Sequence, residues 1–541
     1  MKFKLLLSLF CAGVLTAGAQ GQGFKDGIEY YKADQYANAK TILERTLNDG
    51  STDKSLTYYY LGQIAVHDKD MSAAKSYFDK GVAANPDNGF NYVGLGTLDL
   101  KNGDAKAAKG QFDMAKSKAK KDAAILTAIA RAYYNADPVG YAKEVEKFLN
   151  DAYKANKLSP AIFIMRGDME LDQDKVGDAA ANYENAIYND PTSAEAYVKY
   201  ANAYIKVNPE FAINKLKELN EKVPNSALAQ RELAEKYYDN EQLTMAAKQY
   251  GDYIKNPNHF KEDEERYAQL LFFGQNYDES YNLASSILAQ DPNASRMKRL
   301  LFLNRAAQER NEEALAQAKE FFAMDVTKDN NRFTANDYTT YGELLHKLGQ
   351  DSLSVIQYEK AVEANPEKAD LLKSLSSAYS SAKNYDGALE AFKRFIDNGD
   401  YVTNDLVTLA SRYQNVAATA EPGSDKKTEA IGKAIETIDM VIAKVPDNFI
   451  PVRNRARMML VKHDNQPSEE MVAEYQKVLT MLDADPANLQ KRVNDYKEAY
   501  SQIASYYIST RDNETAKTYY LKLLELDPTN DALREYIDNL K

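Results

Sequence analysis

"YYYLGQIAVHDKDMSAAKSYFDKGVAANP" (residues 58–86) holds three consecutive tyrosines, one of the chain's four histidines and several carboxylates. Its spacing decides whether that crowding is an active site or a scaffold. Ala74, Phe78 and Gly81 lie 12, 8 and 5 residues before Pro86, and Tyr58, Leu61, Gly62 and Ala65 precede them. Large and small side chains thus alternate at i, i+3, i+4 and i+7, the spacing of one helix face. The stretch reads as two amphipathic helices, with His67 to Asp70 as the turn between them. Pro86 stops the second helix, because proline cannot continue one and biases its predecessor away from helical geometry. Tyr58 is expected in the core, and Tyr60 has no assignment.

The same phase recurs along the chain. Helix-ending pieces appear at 83–88 (AANPDN), 188–193 (YNDPTS), 222–227 (KVPNSA), 289–294 (AQDPNA), 363–368 (EANPEK), 444–449 (KVPDNF), 483–488 (DADPAN) and 525–530 (ELDPTN). Pro86 to Pro191 is 105 residues, three periods of 35, and Pro191 to Pro224 is 33. Around Pro528 the phase selects Tyr500, Ile503, Ala504, Tyr507, Ala516 and Tyr520; around Pro366 it selects Tyr338, Tyr341, Gly342, Leu345, Tyr358 and Ala361. Small residues at fixed positions (Gly62, Gly96, Gly167, Gly342; Ala74, Ala108, Ala179, Ala388) let two helices approach closely. Helix starts are marked by Thr192 with Glu195 at capping-box spacing and by Pro160 and Pro209 at first helical positions.

This pattern resembles the tetratricopeptide repeat (TPR) family, whose 34-residue signature runs aromatic, Leu-Gly, Tyr, Ala, Phe, Pro. The resemblance spans nearly all of the chain after its first twenty residues. It is strongest at 55–121, 160–193, 335–400 and 497–530 and looser at 122–158 and 294–330. The first aromatic position is often Trp in the family; this chain has no Trp and uses Tyr58, Tyr92, Phe163, Tyr197, Tyr338 and Tyr500. The resemblance implies an all-α, right-handed α-solenoid of about 13 to 14 helix-turn-helix units, with 531–541 as a capping helix. The expected organisation is a signal peptide at 1–19, an N-terminal array at 20–330, a TPR pair at 331–400 and an array with longer insertions at 401–530. Insertions at 324–337, 415–430 and 461–470 break the period and map to loops.

In the family, the first helix of each unit lines a concave groove. Carried over, this selects Tyr59, Gln63, Val93, Thr97, Ile164, Asp168, Val198, Asn202, Arg231 and Glu235 as candidate binding residues. In the C-terminal half it selects Lys373, Ser377, Ser501 and Ser505. Some members clamp a peptide carboxylate with Lys-Asn, Asn and Lys-Arg positions on consecutive units. Those residue types are missing from the corresponding places here.

The first twenty residues, "MKFKLLLSLFCAGVLTAGAQ", place Lys2 and Lys4 before an apolar run and end it with small residues, the layout of a secretory signal peptide cut after Ala19. Cys11, the single cysteine, lies inside the run behind Phe10, which favours a soluble product over a lipid-anchored one. The expected product is periplasmic and free of disulfides and thiolate metal sites. The apolar run is short for a bilayer span and no later one is longer, so no membrane span is expected. A net charge of −12 argues against nucleic acid as a partner. The lysine-rich run at 109–122 reads as a solvated helix face.

Among the four histidines no two fall at metal-ligand spacing, and there is neither a phosphate loop nor a nucleophile elbow. "DNNRFTAND" lacks the ligand order and glycine of a calcium loop. No cofactor and no catalytic residue are expected. Function therefore reads as a non-enzymatic scaffold in the cell envelope, holding a peptide segment or partner protein and associating with outer-membrane complexes. A glycan- or peptidoglycan-binding protein that uses the 39 tyrosines is the alternative, and a carboxylate-based hydrolase the third reading.

Overall fold

The small positions of the repeat set the architecture, because each accepts a neighbouring ring. In the computed structural model, a Cβ added at Gly62 would fall 2.4 Å from the Phe78 ring, and one at Gly94 2.3 Å from the same ring. Phe78 is therefore wedged between the first helices of two successive units. Gly96 faces Phe112, Gly167 faces Tyr183 and Gly342 faces Tyr358 in the same way. Ala74, Ala108, Ala179 and Ala388 are fully buried.

The structure describes residues 22–119, 121–324, 332–399, 401–485 and 487–540. The proposed signal peptide, Cys11 and half of the 324–337 insertion (325–331) lie outside them. The described residues form thirty α-helices. They begin with α1 (Phe24–Lys32), α2 (Tyr36–Thr46), α3 (Lys54–His67), α4 (Met71–Ala84), α5 (Gly89–Lys101), α6 (Ala105–Ala119), α7 (Ala123–Ala136) and α8 (Ala142–Ala155). Next come α9 (Pro160–Leu171), α10 (Val176–Asn189), α11 (Ala194–Tyr204), α12 (Pro209–Lys222), α13 (Ala227–Asp239), α14 (Leu243–Tyr253), α15 (Lys261–Phe273) and α16 (Tyr277–Gln290). They continue with α17 (Ser295–Ala307), α18 (Asn311–Phe322), α19 (Ala335–Lys347), α20 (Asp351–Ala364), α21 (Asp370–Ser381), α22 (Tyr385–Asp397), α23 (Thr403–Thr419) and α24 (Asp425–Lys444). The series closes with α25 (Phe449–Lys462), α26 (Glu469–Asp483), α27 (Asn488–Lys491), α28 (Val493–Ser509), α29 (Asn513–Glu525) and α30 (Asp531–Asn539).

Two units are distinguished by their internal contacts, one up to Asn304 and one from Arg305, the division falling inside α17. In the first unit, α1 packs on α2, α3 on α4, and so on to α15 on α16. In the second, α19 packs on α20, α21 on α22, α23 on α24, α25 on α26 and α28 on α29. This is the all-α solenoid expected from the periodicity. Helix α30 packs on α29 through Ile537, its one buried side chain, at the position expected for a cap.

Local signals behave as the chemistry of helix ends requires. Asp53 and Asp70 accept the backbone N–H groups of Leu56 and Ala73, and Pro160 and Pro209 open α9 and α12. The turn between α3 and α4 places Lys69 at φ 63°, and the next unit places Gly103 at φ 79°, where a glycine relieves the left-handed backbone. The Thr192–Glu195 capping box does not form: Ser193 is the N-cap and Thr192 turns to Asp190. Glu195 is drawn off by a lysine of α1. Tyr58, expected in the core, is half-buried and stacks on Tyr77, with ring centroids 6.3 Å apart. Tyr60 takes the buried place, 4.9 Å from the ring of Tyr31 in α1.

Because Phe78 has glycine on both sides, a methyl group at Gly62 cannot push the ring away without striking α5. Gly62→Ala is expected to cost about 1–3 kcal/mol in urea unfolding of the full chain. Gly110→Ala, where an added Cβ meets nothing within 4 Å, should be neutral or stabilise by up to about 1 kcal/mol. Equal effects of the two substitutions would contradict the wedge.

Candidate functional site: the inner face of the first unit

Helices α1 and α2 do more than start the array. Asp26 of α1 accepts the backbone N–H of Ala227 at the start of α13 (3.0 Å) and the Asn258 amide ahead of α15 (2.6 Å). One turn on, Glu29 accepts the Ser226 hydroxyl at 2.5 Å. Gln35 donates to Glu232 (2.5 Å), Arg45 donates to Asn258 (2.5 Å), and the Tyr30 ring meets Phe260 edge-on at 5.3 Å. Lys32 reaches Glu195 of α11 at 3.4 Å, and Lys199 of α11 reaches Asp34 at 2.7 Å. The first helix pair of the unit is thus bonded to its sixth and seventh, and the inner face closes on itself.

Closure buries charge, and the charges are paired. Asp168 holds Arg131 at 2.7 Å and Lys199 at 3.2 Å, and accepts the Tyr183 hydroxyl at 2.8 Å. Burial pushes the Asp168 carboxyl up, but Arg131 and Lys199 outweigh it and hold the pKa below the ordinary value. Arg231 grips Asp263 through Nε (2.7 Å) and Nη2 (3.2 Å), and reaches Glu235 at 3.2 Å. Glu235 also takes Arg266 and the Tyr250 hydroxyl. Buried ion pairs add little net stability, yet breaking one is costly, so such a network fixes which helices meet.

Within this closed face lies a chamber of about 150 Å³. Tyr31, Tyr59, Tyr60 and Phe90 form its aromatic wall, and Lys32, Gln63, Arg131 and Glu195 its polar lining. The Tyr59 ring sits 5.0 Å from that of Tyr60 and 5.1 Å from that of Phe90. Lys32 and Arg131 keep 41% and 37% of their side-chain surface exposed, so solvent reaches the chamber.

The positions selected from sequence divide accordingly. Tyr59, Gln63 and Thr97 meet at the chamber. Asp168, Arg231 and Glu235 join the ion-pair networks. Val93, Ile164 and Val198 are buried at 1%, 2% and 0% exposure, whereas Asn202 is exposed. In the second unit Lys373 pairs with Asp405 at 3.2 Å and lies 4.2 Å over the Phe395 ring. Ser377 is exposed and donates to the Lys373 carbonyl, and Ser501 and Ser505 are half-buried.

Arg131, Lys32, Glu195 and Lys199 were not among the sequence candidates. Arg131 was within reach of the repeat rule: Ala130 stands one 34-residue period after Gly96, which puts Arg131 in the place of Thr97. The partners of α1 had no such signal. Among the described residues no group of three or more His, Cys, Asp or Glu side chains could hold a metal ion, and no helix is long and apolar enough to cross a membrane.

Burial lifts the Glu29 carboxyl to about 7 from its ordinary 4.5, with the Ser226 bond opposing and the Asp26 charge reinforcing the rise. Burial raises Asp26 as well, against its bonds from Asn258, Ala227 and Gln22. A raised folded-state pKa means that the docked helix binds the proton more tightly than the free one. The stabilisation is complete below pH 4.5, shrinks through 4.5 to 7, and is lost above it. Hydrogen exchange of the α1 amides, corrected for intrinsic rates, should report an opening free energy about 1 kcal/mol smaller at pH 8 than at pH 6. Glu29→Gln should flatten that difference; a flat wild-type profile would contradict the assignment.

Two family models match repeats within this fold. A tetratricopeptide repeat model matches residues 56–88, 338–368 and 497–530, and a second model of the same description matches 356–402. No curated protein matches the chain in sequence. Among solved structures, the C-terminal part of a TPR repeat-containing protein from Cytophaga hutchinsonii is 24% identical, with a TM-score of 0.39. That match covers 51% of this chain and 99% of the other. A tetratricopeptide repeat protein from Parabacteroides merdae is 18% identical over 46% of this chain and 96% of its own, with a TM-score of 0.27. Human IFIT1, solved as a dimer with PPP-AAAA, is 13% identical over 85% of this chain and 95% of its own, with a TM-score of 0.30. With repeat matches in both units, the chain carries tetratricopeptide repeats.

Proposed function

We propose that this protein is a non-enzymatic scaffold of the cell envelope that holds a partner protein or an extended peptide segment along the inner face of its second unit. Stacked TPR helix pairs are interaction platforms in general, and an extended ligand needs a continuous open strip of side chains. The carrying observation is the contrast between the two units. At one repeat position Tyr59, Val93, Ile164 and Val198 of the first are buried, where Thr339, Lys373 and Val407 of the second are half-buried. At the position after the small residue, Gln63, Thr97, Arg131 and Asp168 are buried or half-buried, Asn202 alone of the first unit's candidates being exposed, where Glu343, Ser377 and Ser411 are exposed. Lys373, Ser501 and Ser505 flank them at intermediate exposure. The envelope address rests on the signal-peptide layout of the first nineteen residues.

A photo-crosslinking residue placed at Ser377 or Ser505 of the full chain, in cells, tests the reading. One and the same partner protein is expected in the adducts from both positions, and none of it from Lys393, 44% exposed in α22. Ser377→Trp should reduce recovery of that partner at least about tenfold, the loss of one good contact. Adducts that fail to form, or that do not distinguish Lys393 from Ser377, would overturn it. The protein recovered from the periplasm should begin at Gln20, and recovery with Met1 intact would remove the envelope address.

A further inference from the structure

The chamber of the first unit has the composition of a ligand site, and nothing in the scaffold reading uses it. Four aromatic rings line it together with polar side chains from α1, α3, α7 and α11. Convergent polar groups on an apolar wall are what fix a small molecule in one orientation. About 150 Å³ lies below the roughly 300–1,000 Å³ that encloses a drug-sized molecule. The same small volume leaves no room for an extended peptide.

Charge narrows the class. Lys32 is paired with Glu195, and Arg131 with Asp168. A charged ligand would have to break one of these pairs or leave an excess charge in a half-buried space. A neutral ligand leaves both pairs intact. The guanidinium of Arg131 has five N–H donors, and its bond to Asp168 uses one of them. Gln63, which lines the chamber with Tyr59, and Asn135, exposed at the rim, each carry a donor and an acceptor side by side. Paired donor–acceptor groups match adjacent hydroxyls, and tyrosine faces match the C–H surface of a ring.

We propose that the chamber in the first unit binds a single neutral sugar ring, stacked on Tyr59 and Phe90 and hydrogen-bonded by Gln63, Asn135 and Arg131. The site is separate from the inner face of the second unit, so its failure leaves partner capture untouched, and the reverse holds.

Saturation-transfer NMR on the full chain tests the site, with the methyl glycosides of glucose, galactose, mannose and N-acetylglucosamine as millimolar probes and acetate and methylammonium as charged ones. At least one glycoside should receive saturation at its ring protons, and neither charged probe should. The pair Gln63→Met with Asn135→Leu, whose helix content and unfolding midpoint are to match the parent, should weaken the best glycoside at least about tenfold, the loss of two hydrogen bonds. Asn135→Leu alone, at the exposed rim, serves if the pair does not fold, and should weaken it severalfold. No transfer to any glycoside, transfer to acetate or methylammonium instead, or glycoside binding that survives the substitutions would overturn the assignment.

Discussion

A benzene ring held between two glycines governs how this chain is assembled. Phe78 fills the space that a side chain at Gly62 or at Gly94 would occupy, so helices of one unit and of the next approach it from opposite sides. The joint is dispersive and non-directional, yet it is specific, because close-packed interiors tolerate neither a void nor an extra methyl group there. Phe112, Tyr183 and Tyr358 fill the space over Gly96, Gly167 and Gly342 within their own helix pairs, the one-sided form of the same contact.

Stacking of the first seven helix pairs brings the first back against the sixth and seventh. What meets there is polar: Asp26 on Ala227 and Asn258, Glu29 on Ser226, Gln35 on Glu232 and Lys199 on Asp34. A polar closure has a consequence that an apolar one lacks. Asp26, Ser226, Glu232 and Asn258, left behind, would be buried unsatisfied groups, so the contact is made in one register or not at all. It converts what would be an open groove into a closed face with a wet chamber.

The repeat architecture was legible in the sequence because its information is local. Gly62, Phe78 and Pro86 lie within one period, and the fourteen helix pairs with a terminal helix follow from that pattern repeated. The inner-face rule also found residues that come together, Tyr59, Gln63 and Thr97. It passed over Arg131 because the aromatic and glycine markers are weak between 122 and 158. The closure was not legible at all. Asp26 and Asn258 are separated by 232 residues, and their meeting depends on small rotations summed over many joints. No single residue encodes that sum. The same blindness exchanged Tyr58 for Tyr60: with α1 lying over α3, the buried side of α3 is turned toward Tyr60.

The closure between Asp26 and Asn258 is the claim on which the rest of the functional account rests, and a double-mutant cycle measures it directly. Asp26→Ala, Asn258→Ala and the double variant would be compared in the full chain through the opening free energy of the α1 amides. The contact predicts a coupling of about 1–3 kcal/mol, as for groups that share a hydrogen bond. Effects that add to within about 0.3–0.5 kcal/mol would mean that the first helix pair stands free of the seventh, and would contradict the closed face.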